Sequence, residues 1–453
     1  MTAPFRRFPL LALAVAGIAA ATACSAAAGQ PGAGLPASPV APVPSSAPTP
    51  LVVPAGEGGG ALSVPRTLTL PDGWTARVWA RVPDARMAAW TSQGDLLVSQ
   101  PNRGSVVELR PDAAGTATVT TLLSGLTNPQ GLAFATVGGR PVLYVAESDQ
   151  IDSYPWEAGG TVGARTVIAA GLPDLDPSGD DDHRLKDVTV AADGTVYFNV
   201  GSSSNANPDD RTMMPQRADI MAMRPDGSDL RVVERGVRNG EGLAVAPDGT
   251  VWTAVNERDN IPYPVHGPYA TDSDAFGKVI RAYVNNHPPD EVVPVTAGRD
   301  VGWPYCDPDQ DDSHPAGSLA SVPLVPNAVT NPGGTALDCA KLPPVEVGLP
   351  AHSAPLGLSF LAGSKLPAPW SDGAVVAVHG SWNRQPPQPP AVLWLAWDAA
   401  TRTLKPAVSL AGGFENAGGT FWGRPVDAVP GPDGALYVTD DAAGAVYRLA
   451  PPS

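Results

Sequence analysis

A short turn ending in glycine, followed at once by an apolar strand, returns six times along this 453-residue chain. It reads Ser92-Gln93-Gly94-Asp95-Leu96-Leu97-Val98, then more loosely Gly138-Gly139 leading to Val142-Leu143-Tyr144-Val145. It recurs at Asp193-Gly194-Thr195-Val196, Asp248-Gly249-Thr250-Val251, Asp372-Gly373-Ala374-Val375 and Asp433-Gly434-Ala435-Leu436. Such a turn before an alternating strand signals a hairpin, because glycine takes the positive φ that a tight turn demands. Several copies follow a strand of the same kind, such as Gly131-Leu132-Ala133-Phe134, so each repeat holds at least one hairpin. Most copies lie roughly 45–60 residues apart, in the range of propeller blades. The sequence therefore predicts an all-β, six-bladed β-propeller over residues 64–453. A β-sandwich would not bring back one turn six times. The spacing between Gly249 and Gly373 is about twice the others, so either one blade carries a long insertion or one has lost its turn. The Pro-, Asp- and Gly-rich stretch at about 261–349 is the candidate, read as a cover over one face.

Before the repeats, Arg6 and Arg7 precede an apolar run from Leu10 to Ala23 and then Cys24. The run is too short to span a bilayer and has the layout of a signal peptide over residues 1–23. It resembles a bacterial lipoprotein signal with Cys24 as the acylated residue, although Ala21 stands where leucine is usual; ordinary cleavage is the alternative. Residues 24–63 are mostly Ala, Pro, Gly and Ser and read as a tether. The chain is then expected to be exported, either lipid-anchored to the outer face of the cell membrane or secreted. In an oxidising compartment Cys306 and Cys339 are expected to form a disulfide. The net charge of −16, with no basic cluster, argues against nucleic acid and against membrane contact other than through the anchor.

Chemistry-bearing residues concentrate beside the repeats. His183 follows Asp180-Asp181-Asp182 and precedes the strand Val188-Thr189-Val190; a carboxylate beside a histidine raises its basicity, though a solvated acidic loop has the same composition. Arg238-Asn239-Gly240-Glu241-Gly242 offers a cation and an amide for an anion, or a plain turn. His379-Gly380-Ser381-Trp382-Asn383-Arg384 and Trp422-Gly423-Arg424 suit either a flat polar ligand or packing between blades.

Taken in order, these segments resemble the glucose/sorbosone dehydrogenase family, in its sorbosone dehydrogenase-like branch. The series includes Asp182-His183, Asn199-Val200-Gly201-Ser202-Ser203, Arg238-Asn239, Gly302-Trp303-Pro304-Tyr305-Cys306, His352-Ser353-Ala354-Pro355, His379 to Arg384, Trp422-Gly423-Arg424-Pro425 and Asp440-Asp441. The resemblance implies a propeller holding pyrroloquinoline quinone (PQQ) and calcium near its axis and oxidising an aldose or related sugar. It implies His183 as the base that takes a hydroxyl proton, tuned by Asp182, and Arg238 and Asn239 at the reactive carbonyl of the quinone. Arg424 would pair with a cofactor carboxylate, Gln130 would lie on the substrate side, and His352, Asn383 and Arg384 would face the cofactor. Calcium would be held by backbone carbonyls at Arg258 and Asp259, where Asn256-Glu257-Arg258-Asp259-Asn260 departs from the family by lacking its glycine. The electron acceptor is unknown. The alternative is a non-catalytic extracellular propeller that binds carbohydrate or a protein partner.

Overall fold

The computed structural model describes residues 45–157, 159–174, 183–309 and 319–452, with the backbone of 41–42. Cys24 and Asp182 lie outside these residues. Six antiparallel sheets form a ring, and each begins with an inner strand on the axis. The inner strands are Ala88–Trp90, Leu132–Val137, Val188–Val190, Gly240–Val245, Pro355–Phe360 and Pro425–Pro430. Each pairs with a second strand: Leu96–Gln100, Arg140–Ala146, Val196–Val200, Val251–Val255, Ala374–Val378 and Leu436–Asp440. The six glycines of the repeated turn sit between first and second strands, with φ from 80° at Gly139 to 90° at Gly94.

Blade four accounts for the doubled spacing. Its third and fourth strands, Asp290–Pro294 and Val345–Leu349, lie inside the 261–349 stretch. The expected single cover is therefore two excursions separated by a strand of the blade itself, and no turn has been lost. The Cys306–Cys339 disulfide closes part of the second excursion, with Cα atoms 5.7 Å apart.

The ring is closed by strand Thr75–Arg81 from the start of the chain, which pairs with Ala445–Ala450 as the outer strand of blade six. Ahead of it, Ser46–Val52 pairs antiparallel with Thr67–Pro71 and parallel with Thr75–Arg81. The tether expected up to residue 63 thus gives way to folded chain from Ser46. Leu51 and Leu62, 6 % and 3 % exposed, join a core with Leu68, Trp74, Leu410 and Phe414. Prolines masked this strand in the sequence, yet an outer strand tolerates them because it need not donate on both sides.

At the axis two aspartates tie blades together. Asp187 accepts from Val188 N and Leu243 N at 2.8 Å each, linking blades three and four. Asp427 accepts from Ala428 N at 2.8 Å and Ala88 N at 3.0 Å, linking blades six and one. Each faces a glycine of the preceding blade: a Cβ at Gly131 would lie 2.7 Å from Asp187 Oδ1, and one at Gly357 2.2 Å from Asp427 Oδ1. An axial cavity of about 350 Å³ runs along the inner strands past Leu132, Leu243 and Leu358. Among the described residues no helix is long and apolar enough to cross a membrane.

Candidate active site

First strands begin, and second strands end, at the face of the ring opposite the repeated turns. His183, Arg238-Asn239, His352, His379 to Arg384 and Trp422 to Arg424 flank first or second strands at this end, so the hairpin repeat gathers them on one face, whereas Gly302 to Cys306 lies in the second excursion of blade four.

An inner arc surrounds the axis. Arg86 and Gln130 each stand two residues before an inner strand, and Glu241 is the second residue of the inner strand Gly240–Val245. Arg86 donates to Gln130 Oε1 (2.7 Å from Nη2), to Glu241 Oε2 (3.0 Å) and to Asp441 Oδ2 (3.2 Å). Glu241 Oε1 accepts from Asn239 Nδ2 at 3.0 Å. Asp441 Oδ1 lies 2.9 Å from His379 Nε2, and Arg424 Nε donates to the His379 carbonyl at 2.8 Å. Gln130, expected on the substrate side, is fully buried, with its amide engaged by Arg86 and Glu241.

His183 approaches from blade three. Its Nδ1 lies 2.9 Å from Ser202 Oγ and 3.2 Å from the Ser202 carbonyl. A Cβ on Gly201 would fall 2.6 Å from His183 Cβ and 2.9 Å from Asn239 Oδ1, so the glycine leaves the room that both side chains occupy. Burial, and then the Arg238 guanidinium, hold the imidazole well below its ordinary pKa; it is neutral at pH 7 and able to accept a proton.

An outer arc runs from Arg238 into the excursions of blade four. Arg238 donates to Asn256 O at 2.9 Å and to Asn205 Oδ1 at 3.1 Å. Asn205 in turn bridges to the Asp259 backbone, donating to its carbonyl and accepting from its N–H, both at 2.8 Å. Asp259 Oδ1 is 3.4 Å from His352 Nδ1, and His352 Nε2 lies 2.6 Å from the Val284 carbonyl. Arg384 is pinned by Ala351 O, Gln388 Oε1 and Asn286 Oδ1. His352 and Arg384 are therefore committed to positioning the excursions around the site as much as to any ligand. Asn383 is held through its carbonyl by Arg281.

Several buried polar atoms on this face have no hydrogen-bond partner: Asn239 Oδ1, both amide atoms of Asn383, Arg384 Nε, and Nε and Nη1 of Arg258. Unmade hydrogen bonds of this kind are expensive, about 1–3 kcal/mol each. Most of these atoms are donors, and a flat ligand bearing several carboxylates would satisfy them. Calcium fits less well. The Asp259 carbonyl expected to face it already accepts from Asn205, and among the described residues no group of three His, Cys, Asp or Glu side chains is arranged for a metal.

A family model described as TrAA12-like matches residues 68–451. The chain belongs to the TrAA12-like family. The fold of this TrAA12-like protein is shared by the holo PQQ domain of pyranose dehydrogenase from Coprinopsis cinerea, at TM-score 0.70 and 22% identity over 88% of this chain and 100% of that one. A Trichoderma reesei carbohydrate-active enzyme of family AA12 superposes at TM-score 0.68 with 18% identity, covering 85% and 98% of the two chains. The soluble aldose sugar dehydrogenase of Escherichia coli follows at 0.56 and 14%, covering 83% and 99%. A Borreliella burgdorferi protein described only as uncharacterized is 27% identical over 255 residues, and the match spans 56% of each chain.

Sequence reasoning passes over Arg86, the hub of the inner arc. The signal was present in its register, since like Gln130 it stands two residues before an inner strand.

Proposed function

We propose that this TrAA12-like protein is a PQQ-dependent oxidoreductase acting on a CH–OH group of an aldose or related sugar. The observation that carries the reading is a neutral His183 held close to Arg238 and, across Gly201, to Asn239, beside buried donors that lack hydrogen-bond partners. The family, and the likeness in fold to the PQQ domain of a pyranose dehydrogenase and to an aldose sugar dehydrogenase, support it. Bound PQQ would supply the acceptor for the hydride. The chain's residues supply the rest. His183 takes the hydroxyl proton, and burial keeps it unprotonated for that purpose. Arg238 stabilises negative charge developing beside it. Arg258, Asn383, Arg384 and Arg424 hold carboxylates. We infer further that the chain is exported and lipidated at Cys24, which loss of palmitate labelling in Cys24→Ser would check.

The test is a PQQ titration with and without calcium, read by absorbance and thermal shift, followed by dye-linked assays over a sugar panel. A stabilising shift and turnover of at least one aldose are expected. His183→Ala should keep the shift and lose roughly 10²–10⁴ in kcat. No spectral or thermal response to PQQ would overturn the proposal. A shift without oxidation of any sugar would support a non-catalytic binding protein instead.

A further inference from the structure

A second histidine of this face is built for proton transfer and is unused by the reaction as described. His379 follows strand Ala374–Val378. Its Nε2 is 2.9 Å from Asp441 Oδ1, and Asp441 Oδ2 accepts from Arg86 at 3.2 Å. Arg424 fixes the backbone beneath it, donating to the His379 carbonyl at 2.8 Å and the Gly380 carbonyl at 3.1 Å. An imidazole that donates one N–H to a carboxylate presents its other nitrogen as a lone pair and gains basicity. Nδ1 of His379 has no hydrogen-bond partner among the described residues, and its side chain is 16 % exposed.

We propose that His379 is a second proton acceptor of the site, with Asp441 and Arg86 as its positioning residues. The proposal rests on the oxidoreductase reading. Converting CH–OH to C=O with a one-electron acceptor such as ferricyanide releases two protons and two electrons per turnover. His183 receives the first proton from the hydroxyl. The second proton, transferred from carbon as part of the hydride that the bound quinone would accept, is released when the two electrons pass to two ferricyanide ions, and His379 Nδ1 receives it. The arrangement is electrostatically consistent. Hydrogen bonding and attraction from His379, together with Arg86, hold the Asp441 carboxyl at about 2 despite its burial, so it stays ionised. Burial lowers the pKa of His379, the Asp441 hydrogen bond and charge oppose this, and Arg424 and Arg86 add to the lowering. Asp84 also faces Asp441. At the other end, Arg86 reaches Glu241 and through it Asn239, which crowds Gly201 together with His183. The two imidazoles thus flank one hydrogen-bonded network.

The experiment has two arms. Nitrogen-15 imidazole spectra of the cofactor-free protein report the tautomer of His379. The Nε2–H form is expected, lost in Asp441→Asn and restored in Asp441→Glu, which also controls for misfolding. In the reconstituted enzyme, stopped-flow separates reduction by sugar from re-oxidation by ferricyanide. His379→Gln should slow re-oxidation roughly 10²-fold and remove one ionisation from its pH profile while leaving reduction by sugar unchanged; His183→Ala should do the reverse. An Nδ1–H tautomer in the wild type, or equal slowing of both halves, overturns the proposal. Failure to bind PQQ would sink the oxidoreductase reading and the proton role with it, while the tautomer, read on the cofactor-free chain, tells the two failures apart.

Discussion

Replacing Arg86 with methionine should show how much the inner arc contributes to the ring. The guanidinium sits between Glu241 and Asp441, with side-chain exposures of 10 %, 8 % and 23 % respectively. Methionine fills much the same volume but leaves both carboxylates without their cation. Removing one partner of a buried ion pair costs about 3–5 kcal/mol, because the remaining charge is stranded. A folded body of about 380 residues unfolds with an entropy near 0.8 kcal/mol per kelvin, so the Tm should fall by about 4–6 °C. Adding Glu241→Gln removes one stranded charge and should restore part of that loss, a non-additivity that marks direct contact. The acid limb should move as well. Asp441 in the folded protein titrates at about 2, below its ordinary 3.8, so its stabilisation is present above the unfolded value and lost as pH falls through 2. Without Arg86 that depression shrinks, and acid unfolding should begin at higher pH. Thermal scans across pH on the three proteins decide the matter. A single variant within 1 kcal/mol of wild type, or a double variant no better than the single, would refute the reasoning.

Three other outcomes are expected. Reducing the Cys306–Cys339 bridge, or replacing both residues by serine, should cost about 3–4 kcal/mol by the loop-entropy argument for a separation of 33 residues, measured by urea unfolding. A chain beginning at residue 45 should match the longer protein in Tm, whereas one beginning at 64 loses the burial of Leu51 and Leu62 and should fall by on the order of 4 kcal/mol; equal Tm values would show the strand to be dispensable. Asp219, whose Oδ2 is buried without a hydrogen-bond partner, is pushed up to about 7, chiefly by burial. The folded state therefore keeps a proton that the unfolded chain releases at 3.8, and stability falls as pH rises from there to 7. Asp219→Asn should flatten that slope and be more stable by on the order of 2 kcal/mol above pH 7.

What the sequence reveals and conceals follows from how local each signal is. The turn glycines from Gly94 to Gly434 specify a backbone conformation within a few residues, so the blade count is legible without any knowledge of contacts. His183, Arg238, Asn239 and Arg424 are legible because strand ends at one face collect in the same place. Blade four is obscured because its outer strands lack the turn and lie within proline- and aspartate-rich excursions. Ser46–Val52 is obscured because three of its seven residues are Pro or Ser and because it pairs with Thr67–Pro71 and Thr75–Arg81 without a repeated turn to announce it. Arg86 is obscured because its importance comes from Glu241 and Asp441, residues contributed by other blades. The commitment of Gln130 to Arg86 rather than to a ligand is the same kind of tertiary fact.

Because the edge of Thr75–Arg81 away from Ser46–Val52 is filled only by Ala445–Ala450, almost the entire polypeptide must be made before the circle can shut. Until then the earliest strands offer bare edges to any passing chain, and closing such a distant contact is slow. A nascent molecule of this design benefits from being kept unfolded until its last residues are released, so the order of synthesis and the order of assembly are forced apart by a single seam.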